Sequence, residues 1–154
     1  MVPTILQLRA PQLSTAALER EAHELVNGTT VPVLISSRSD VALAAGAAGV
    51  NLPESDIGVA DARTLLGRRL VGRSVHSITS AQQAEREGAD FVIFGPVWES
   101  PSHPGSPPAG IAALELVARS VRIPVLAIGG VTEERIAECH SAGAAGYAAI
   151  GLFK

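Results

Sequence analysis

The feature that most restricts the fold of this chain is a corner that it repeats three times. Residues 45–50 (Ala-Gly-Ala-Ala-Gly-Val), 87–92 (Glu-Gly-Ala-Asp-Phe-Val) and 142–147 (Ala-Gly-Ala-Ala-Gly-Tyr) each lead a helix-forming segment into a glycine, a small residue and an apolar run. A glycine just past the last helical turn takes the left-handed conformation that closes a helix. The apolar run behind it has the length of a buried strand. Three such corners predict repeated βα units rather than a helical bundle or a sandwich.

Apolar runs without polar alternation mark strands covered on both faces. They fall at 5–8, 33–35, 49–52, 70–75, 91–94, 125–128 and 147–150. Helix starts lie between them: Thr132 precedes two acids, and Thr79 and Ser80 precede residues 81–86, each offering a hydroxyl cap. Pro124 stands just before the sixth run and breaks the helix ahead of it. This alternation suits a doubly wound sheet or a barrel. The doubly wound fold carries a glycine-rich turn after its first strand, but here Leu8 is followed by Arg9-Ala10-Pro11. The glycines instead end the late strands, at Gly95, Gly129-Gly130 and Gly151, where barrels hold phosphate. The expected fold is therefore α/β, a (β/α)8 TIM-barrel type forming one domain over residues 1–154. It is shortened against the roughly 250 residues of a complete barrel, with the first strand–helix unit and the last helix missing. A missing strand leaves open edges that pair with other chains, so a homo-oligomer is expected.

Composition serves mainly to exclude. A net charge of −3 over 154 residues gives no basic face for nucleic acid. No apolar stretch approaches the roughly 20 residues of a membrane span. The start, Met1-Val2-Pro3-Thr4, does not read as a secretory signal. One cysteine, Cys139, excludes an internal disulfide and reads as a small buried helix residue. A soluble, cytoplasmic protein is expected.

Four segments carry candidate chemistry. The strand ending in Gly129-Gly130 runs into a helix start, where uncovered N–H groups can face an anion, and Gly151 ends the next strand similarly. The long Pro/Ser/Gly loop from Gly95 to Gly110 offers the hydroxyls of Ser100 and Ser102 and the ring of His103. In the run 72–77, Ser74 and His76 share one strand face. Gln7 and Arg9 sit two apart at a strand end, where an arginine suits a phosphate or carboxylate.

Together these residues resemble the family of thiamine-phosphate synthase and its relative, the thiazole tautomerase TenI, from Thr4 to Phe153. The likeness is most specific at 72–77, 89–102 and 124–130. It implies a (β/α)8 barrel and a phosphorylated thiazole as small-molecule ligand. Ser100 and Ser102 match the hydroxyls that hold the thiazole phosphate, and Gly129 or Gly130 matches the glycine after the seventh strand. Ile150-Gly151 matches the last-strand backbone at the phosphate, and Ser74 a hydroxyl on the pyrophosphate side. Gln7 and Arg9 match a Gln-x-Arg pair, while Asp56 matches a magnesium carboxylate. Departures gather on the pyrophosphate side: His103 and Pro11 replace lysines, and Ser36-Ser37 or Ser37-Arg38 replaces an Asn-Asp pair. Arg9, Arg38 and His103 are the remaining cations there. Arg38 and the run 72–77 look closer to the tautomerase branch, although that branch's catalytic histidine falls on Pro96.

The leading expectation is accordingly aromatisation of a thiazole carboxylate phosphate tautomer, with His76 or His103 as the base and no cofactor. The alternative is synthesis of thiamine phosphate, with magnesium. A third reading, from another class, is a non-catalytic protein that binds thiazole phosphate.

Overall fold

The computed structural model describes residues 2–101 and 104–152. Seven strands and six α-helices alternate along it. They run β1 (Leu6–Leu8), α1 (Thr15–Gly28), β2 (Val33–Ser36), α2 (Ser39–Ala45), β3 (Gly49–Leu52), α3 (Val59–Leu66) and β4 (Leu70–Val75). Then follow α4 (Ile78–Arg86), β5 (Phe91–Phe94), α5 (Ile111–Ser120), β6 (Val125–Ile128), a 3-10 turn at Glu133–Arg135, α6 (Ile136–Ser141) and β7 (Gly146–Ala148). The strands form one sheet in sequence order, with every pair parallel. This is the curled, TIM-barrel-like sheet that the repeated corner predicts. It is not a closed eight-stranded barrel: among the described residues, β1 and β7 each pair on one side only.

The repeated corner behaves as its sequence dictates. Gly46, Gly88 and Gly143 have φ of +69°, +93° and +90°, a region an L side chain rarely enters. Ala47, Ala89 and Ala144 then turn inward and are buried beneath the helices.

Because side chains alternate along a strand, the sheet has two apolar faces. Val33, Ile35, Val50, Leu52, Val71, Val75, Val92 and Phe94 pack outward against Leu18, Ala22, Val41, Ala62, Ala81 and Leu114 of the helices. Leu34, Phe91 and Ile93 fill the concave face, with Leu70, Leu126, Ile128 and Ala148 against them. Gly72 makes room for this inner layer, since a Cβ there would lie 2.2 Å from the Phe91 ring.

The helix starts differ from expectation at two places. Ser77, rather than Thr79 or Ser80, caps α4; its Oγ accepts from the Ser80 N–H, and Ser80 completes a capping box. Thr132 makes no side-chain cap, because the chain enters a 3-10 turn first and its hydroxyl instead bonds the Glu134 carboxylate. The last strand spans Gly146–Ala148 rather than 147–150, so Ile150 lies beyond it and is 80% exposed. The first strand starts at Leu6, one residue late, and the second runs one residue further, to Ser36. Cys139 is buried in α6, where burial pushes its thiol up from the ordinary value. No described helix is long and apolar enough to cross a membrane.

Candidate functional site

At the C-terminal ends of β2, β3 and β4, the concave face changes from apolar to polar. Two residues on from Leu34 and Gly49, and two from Gly72, the same alternation presents Ser36, Asn51 and Ser74. Asn51 is 4% exposed, and its Nδ2 donates to Ser74 Oγ over 3.0 Å. Its Oδ1 has no partner among the described residues, the kind of buried acceptor that ordinarily finds a donor. Gln7 lies on β1, paired with Leu34, and is exposed with Arg9 just beyond the strand. Arg9, Ser36, Ser37 and Pro53 line a cavity of about 310 Å³ at this rim.

Several expected partners point elsewhere. Arg38 contributes to the same cavity wall, yet its guanidinium is drawn to Asp40, at 2.6 and 2.9 Å, and to Thr15 Oγ1 at 3.1 Å. That fork is engaged at its own helix start, on a side chain that still borders the cavity. His76 does not share the inner face with Ser74. The strand ends at Val75, and the ring, 54% exposed, turns to Glu54, with Nδ1 and Oε2 2.7 Å apart. The other Glu54 oxygen accepts from the His76 N–H at 3.1 Å. Ser102 and His103 lie outside the described residues. Ser100 lines a cavity of about 630 Å³ beneath the long loop, with Glu99, Pro101 and Pro104–Pro108.

Asp56 is held by the Ser37 hydroxyl, and its Oδ1 accepts from the Ile57 N–H at 2.7 Å. Ser37 reaches it from a left-handed backbone, φ +70°, unusual for a serine. Among the described residues, no group of three His, Cys, Asp or Glu side chains converges on one point. Magnesium usually keeps several waters and is held by one or two carboxylates together with substrate phosphates, and Asp56, oriented by these two donors, is the carboxylate next to the Ser37 wall of the cavity.

The turn after β6 is the most constrained part of the mouth. The Val97 N–H donates to Ile128 O at 2.9 Å, and the Trp98 N–H to Gly129 O at 3.0 Å. Arg135 Nη1 donates to Gly130 O at 2.7 Å. Three successive peptide groups thus have their carbonyls taken on one side. In a trans peptide the N–H points opposite the carbonyl, so the N–H groups of Gly129, Gly130 and Val131 face away from these partners. The Gly129 N–H continues the β6–β7 ladder toward Ala148, while the N–H groups of Gly130 and Val131 have no acceptor among the described residues. Gly129 and Gly130 have φ of +93° and +65°, and no side chain would fit: a Cβ on Gly130 would lie 2.6 Å from Glu99 O. Backbone donors without side-chain cover are what an anion needs. Gly151, with open space around it, lies past the end of β7.

Sequence reasoning missed Glu54, Asn51, Trp98 and Arg135. Asn51 had a findable signal, a polar residue inside an apolar run. The others are joined to their partners only through the fold.

Glu54 also gives a pH prediction. Burial raises its carboxyl, but the Ser80 hydroxyl and His76 outweigh this and hold it below the usual 4.5. A lowered carboxylate contributes stability that is present above its unfolded pKa and lost as pH falls through the folded value. Melting temperature should therefore fall from about pH 5 to pH 3, and Glu54→Gln should flatten that fall by about 1–2 °C, the modest size reflecting solvent screening. Circular dichroism melts of both proteins across that range check it; parallel curves would exclude a role for Glu54.

A curled sheet of seven parallel strands, alternating with helices, defines a TIM-barrel-like α/β protein. The chain belongs to the thiamine monophosphate synthase family, whose pattern it matches over residues 2–153. A protein of Aquifex aeolicus is 40% identical over 152 residues, covering 97% of this chain and 82% of the relative. The thiamine-phosphate synthase of Chloroflexus aurantiacus is 38% identical over 151 residues, covering 96% of this chain and 70% of its own. Among solved structures, thiamine phosphate pyrophosphorylase from Pyrococcus furiosus superposes with a TM-score of 0.85 at 30% identity, over 96% of this chain and 72% of that one. Inosine 5'-monophosphate dehydrogenase from Legionella pneumophila, at 18% identity and a TM-score of 0.75, over 96% of this chain and 50% of that one, shares the fold alone.

Proposed function

We propose that this chain anchors a thiazole phosphate and joins it to a pyrimidine pyrophosphate, making thiamine phosphate and releasing pyrophosphate. The observation that carries the anchor is the pair of unengaged N–H groups at Gly130 and Val131, on the turn that opens at Gly129. The activity is drawn from the name of the Chloroflexus relative, which this chain matches over 96% of its own length. In the reaction, the thiazole nitrogen forms a bond to the pyrimidine methylene carbon as the carbon–oxygen bond to pyrophosphate breaks. The turn after β6 would hold the thiazole phosphate, with Ser100, Ser102 and Gly151 as the further candidates that the resemblance gives. Gln7, Arg9 and Ser74 would line the pyrimidine and pyrophosphate side. Of the arginines there, Arg9 is the exposed one that the Asp40 pairing leaves available.

The His76–Glu54 pair favours a second reading. A carboxylate on Nδ1 fixes a histidine's orientation and leaves Nε2 to exchange a proton. That arrangement suits aromatisation of a thiazole carboxylate phosphate tautomer.

One set of assays separates the readings. The purified chain is given thiazole phosphate and pyrimidine pyrophosphate, with and without magnesium, and separately the non-aromatic tautomer. Pyrophosphate release matched by thiamine phosphate is the expected result. Aromatisation that His76→Ala slows by about 100-fold or more, in the range general acid–base catalysis supplies, would replace it with the second reading. Calorimetric binding of thiazole phosphate without either turnover would leave a binding protein.

A further inference from the structure

The side chain that completes the phosphate turn comes from neither glycine-bearing strand. Arg135 follows β6, at the end of the 3-10 turn, and reaches back with Nη1 to Gly130 O at 2.7 Å. Its guanidinium carbon lies 4.9 Å from the centroid of the Trp98 ring, within cation–π range. Trp98 is itself tied to the turn, since its N–H donates to Gly129 O. One flat cation thus bridges the loop after β5 to the loop after β6.

The consequence lies in the peptide between Gly130 and Val131. Gly129 and Gly130 have freedom that no other residue has, so the turn they form is specified by its partners and not by its own dihedral preferences. Two of its carbonyls are fixed by backbone donors, Val97 and Trp98, which any sequence supplies. The third is fixed by Arg135 alone among the described residues. Holding that carbonyl outward aims the Val131 N–H the opposite way.

We propose that Arg135 is a positioning residue for phosphate: with Trp98 it clasps the Gly129–Val131 turn so that its N–H groups converge on the phosphoryl group. It does not touch the reacting atoms. This rests on the reading of the turn as the phosphate anchor. It predicts selective loss: a charged hydrogen bond removed from the turn weakens the phosphorylated ligand about tenfold and leaves the rest of the site alone.

Trp98 is the only tryptophan in the chain, so its emission reports the clasp directly. The experiment titrates thiazole phosphate and the unphosphorylated thiazole alcohol into wild type, Arg135→Ala and Arg135→Lys, by calorimetry and by Trp98 fluorescence. Arg135→Ala should raise the Kd for thiazole phosphate about tenfold, leave the alcohol unchanged and shift Trp98 emission to the red. Arg135→Lys keeps a charged donor but not the flat stack, and should fall between. It carries the test if the alanine variant does not fold. Wild-type affinity and emission in the substituted proteins would overturn the proposal, as would equal weakening of both ligands. A wild-type protein that binds no thiazole phosphate removes the anchor itself, a failure visible in the first titration alone.

Discussion

Gly129→Ala is expected to lose about a hundredfold in affinity for thiazole phosphate and to destabilise the fold by about 3 kcal/mol. The added Cβ would lie 2.5 Å from Pro96 Cβ and 2.6 Å from its Cα, on a backbone at φ +93°. The chain must relieve both the strain and the clash, and the only moving parts are the two loops that hold the N–H groups in place. Gly28→Ala is the matched control. Nothing lies within 4 Å of a Cβ there, and the glycine ends α1 far from the turn, so stability should hold or rise slightly. Calorimetric titration and thermal melts of the two variants read the difference. A Gly129→Ala protein that binds within threefold of wild type would show that the turn does not hold the phosphate.

Phe91→Ala should cost about 3–5 kcal/mol and lower the melting temperature by about 10–15 °C. The ring is 7% exposed and is the largest side chain of the inner layer, beside Leu34 and Ile93. Its site is also coupled to a neighbour. Gly72→Ala in the native background pushes a methyl to 2.2 Å from that ring and should be destabilising by itself. Once the ring is gone, the same methyl fills part of the space. The double variant should therefore be more stable than Phe91→Ala alone, a coupling of opposite sign to simple addition. Denaturant melts of the four proteins measure it, and additive effects would mean the two residues do not share the inner layer.

Much of the fold was legible because the units are short and the signal is local. The glycine corners at Gly46, Gly88 and Gly143 close helices through their own dihedrals, and no partner is needed to read them. Strands such as Leu70–Val75 and Phe91–Phe94 are apolar on both faces because both faces are covered. Strand ends were harder: Ile150 is apolar and follows a strand, yet nothing in the sequence tells an inward residue from an exposed one at an edge. At the candidate site, backbone geometry is written locally and side-chain partnerships are not. Gly129 and Gly130 declare a special turn by being glycine. Arg38 reads as a cation at a strand end, and the sequence does not say that its guanidinium pairs with Asp40, two residues away. His76 looks inward by strand alternation, but the strand stops one residue short of it and Glu54, 22 residues earlier, decides where the ring goes. Arg135 and Trp98 meet across 37 positions, a separation that no motif encodes.

The strict order of the sheet has a bearing on how the molecule is made. Every strand lies beside its sequence neighbours, so each βα unit can dock on the one already formed without waiting for a distant segment. A chain emerging from the ribosome can build such a sheet stepwise from its N-terminal end. The Asn51–Ser74 side of the mouth would then be in place first. The Gly129–Val131 turn, with carbonyls held by residues 97, 98 and 135, would be completed only when the last third of the chain arrives. On the proposed function, ligand capture would be a late checkpoint on synthesis: a chain cut short before Arg135 retains most of the strands and lacks the finished turn.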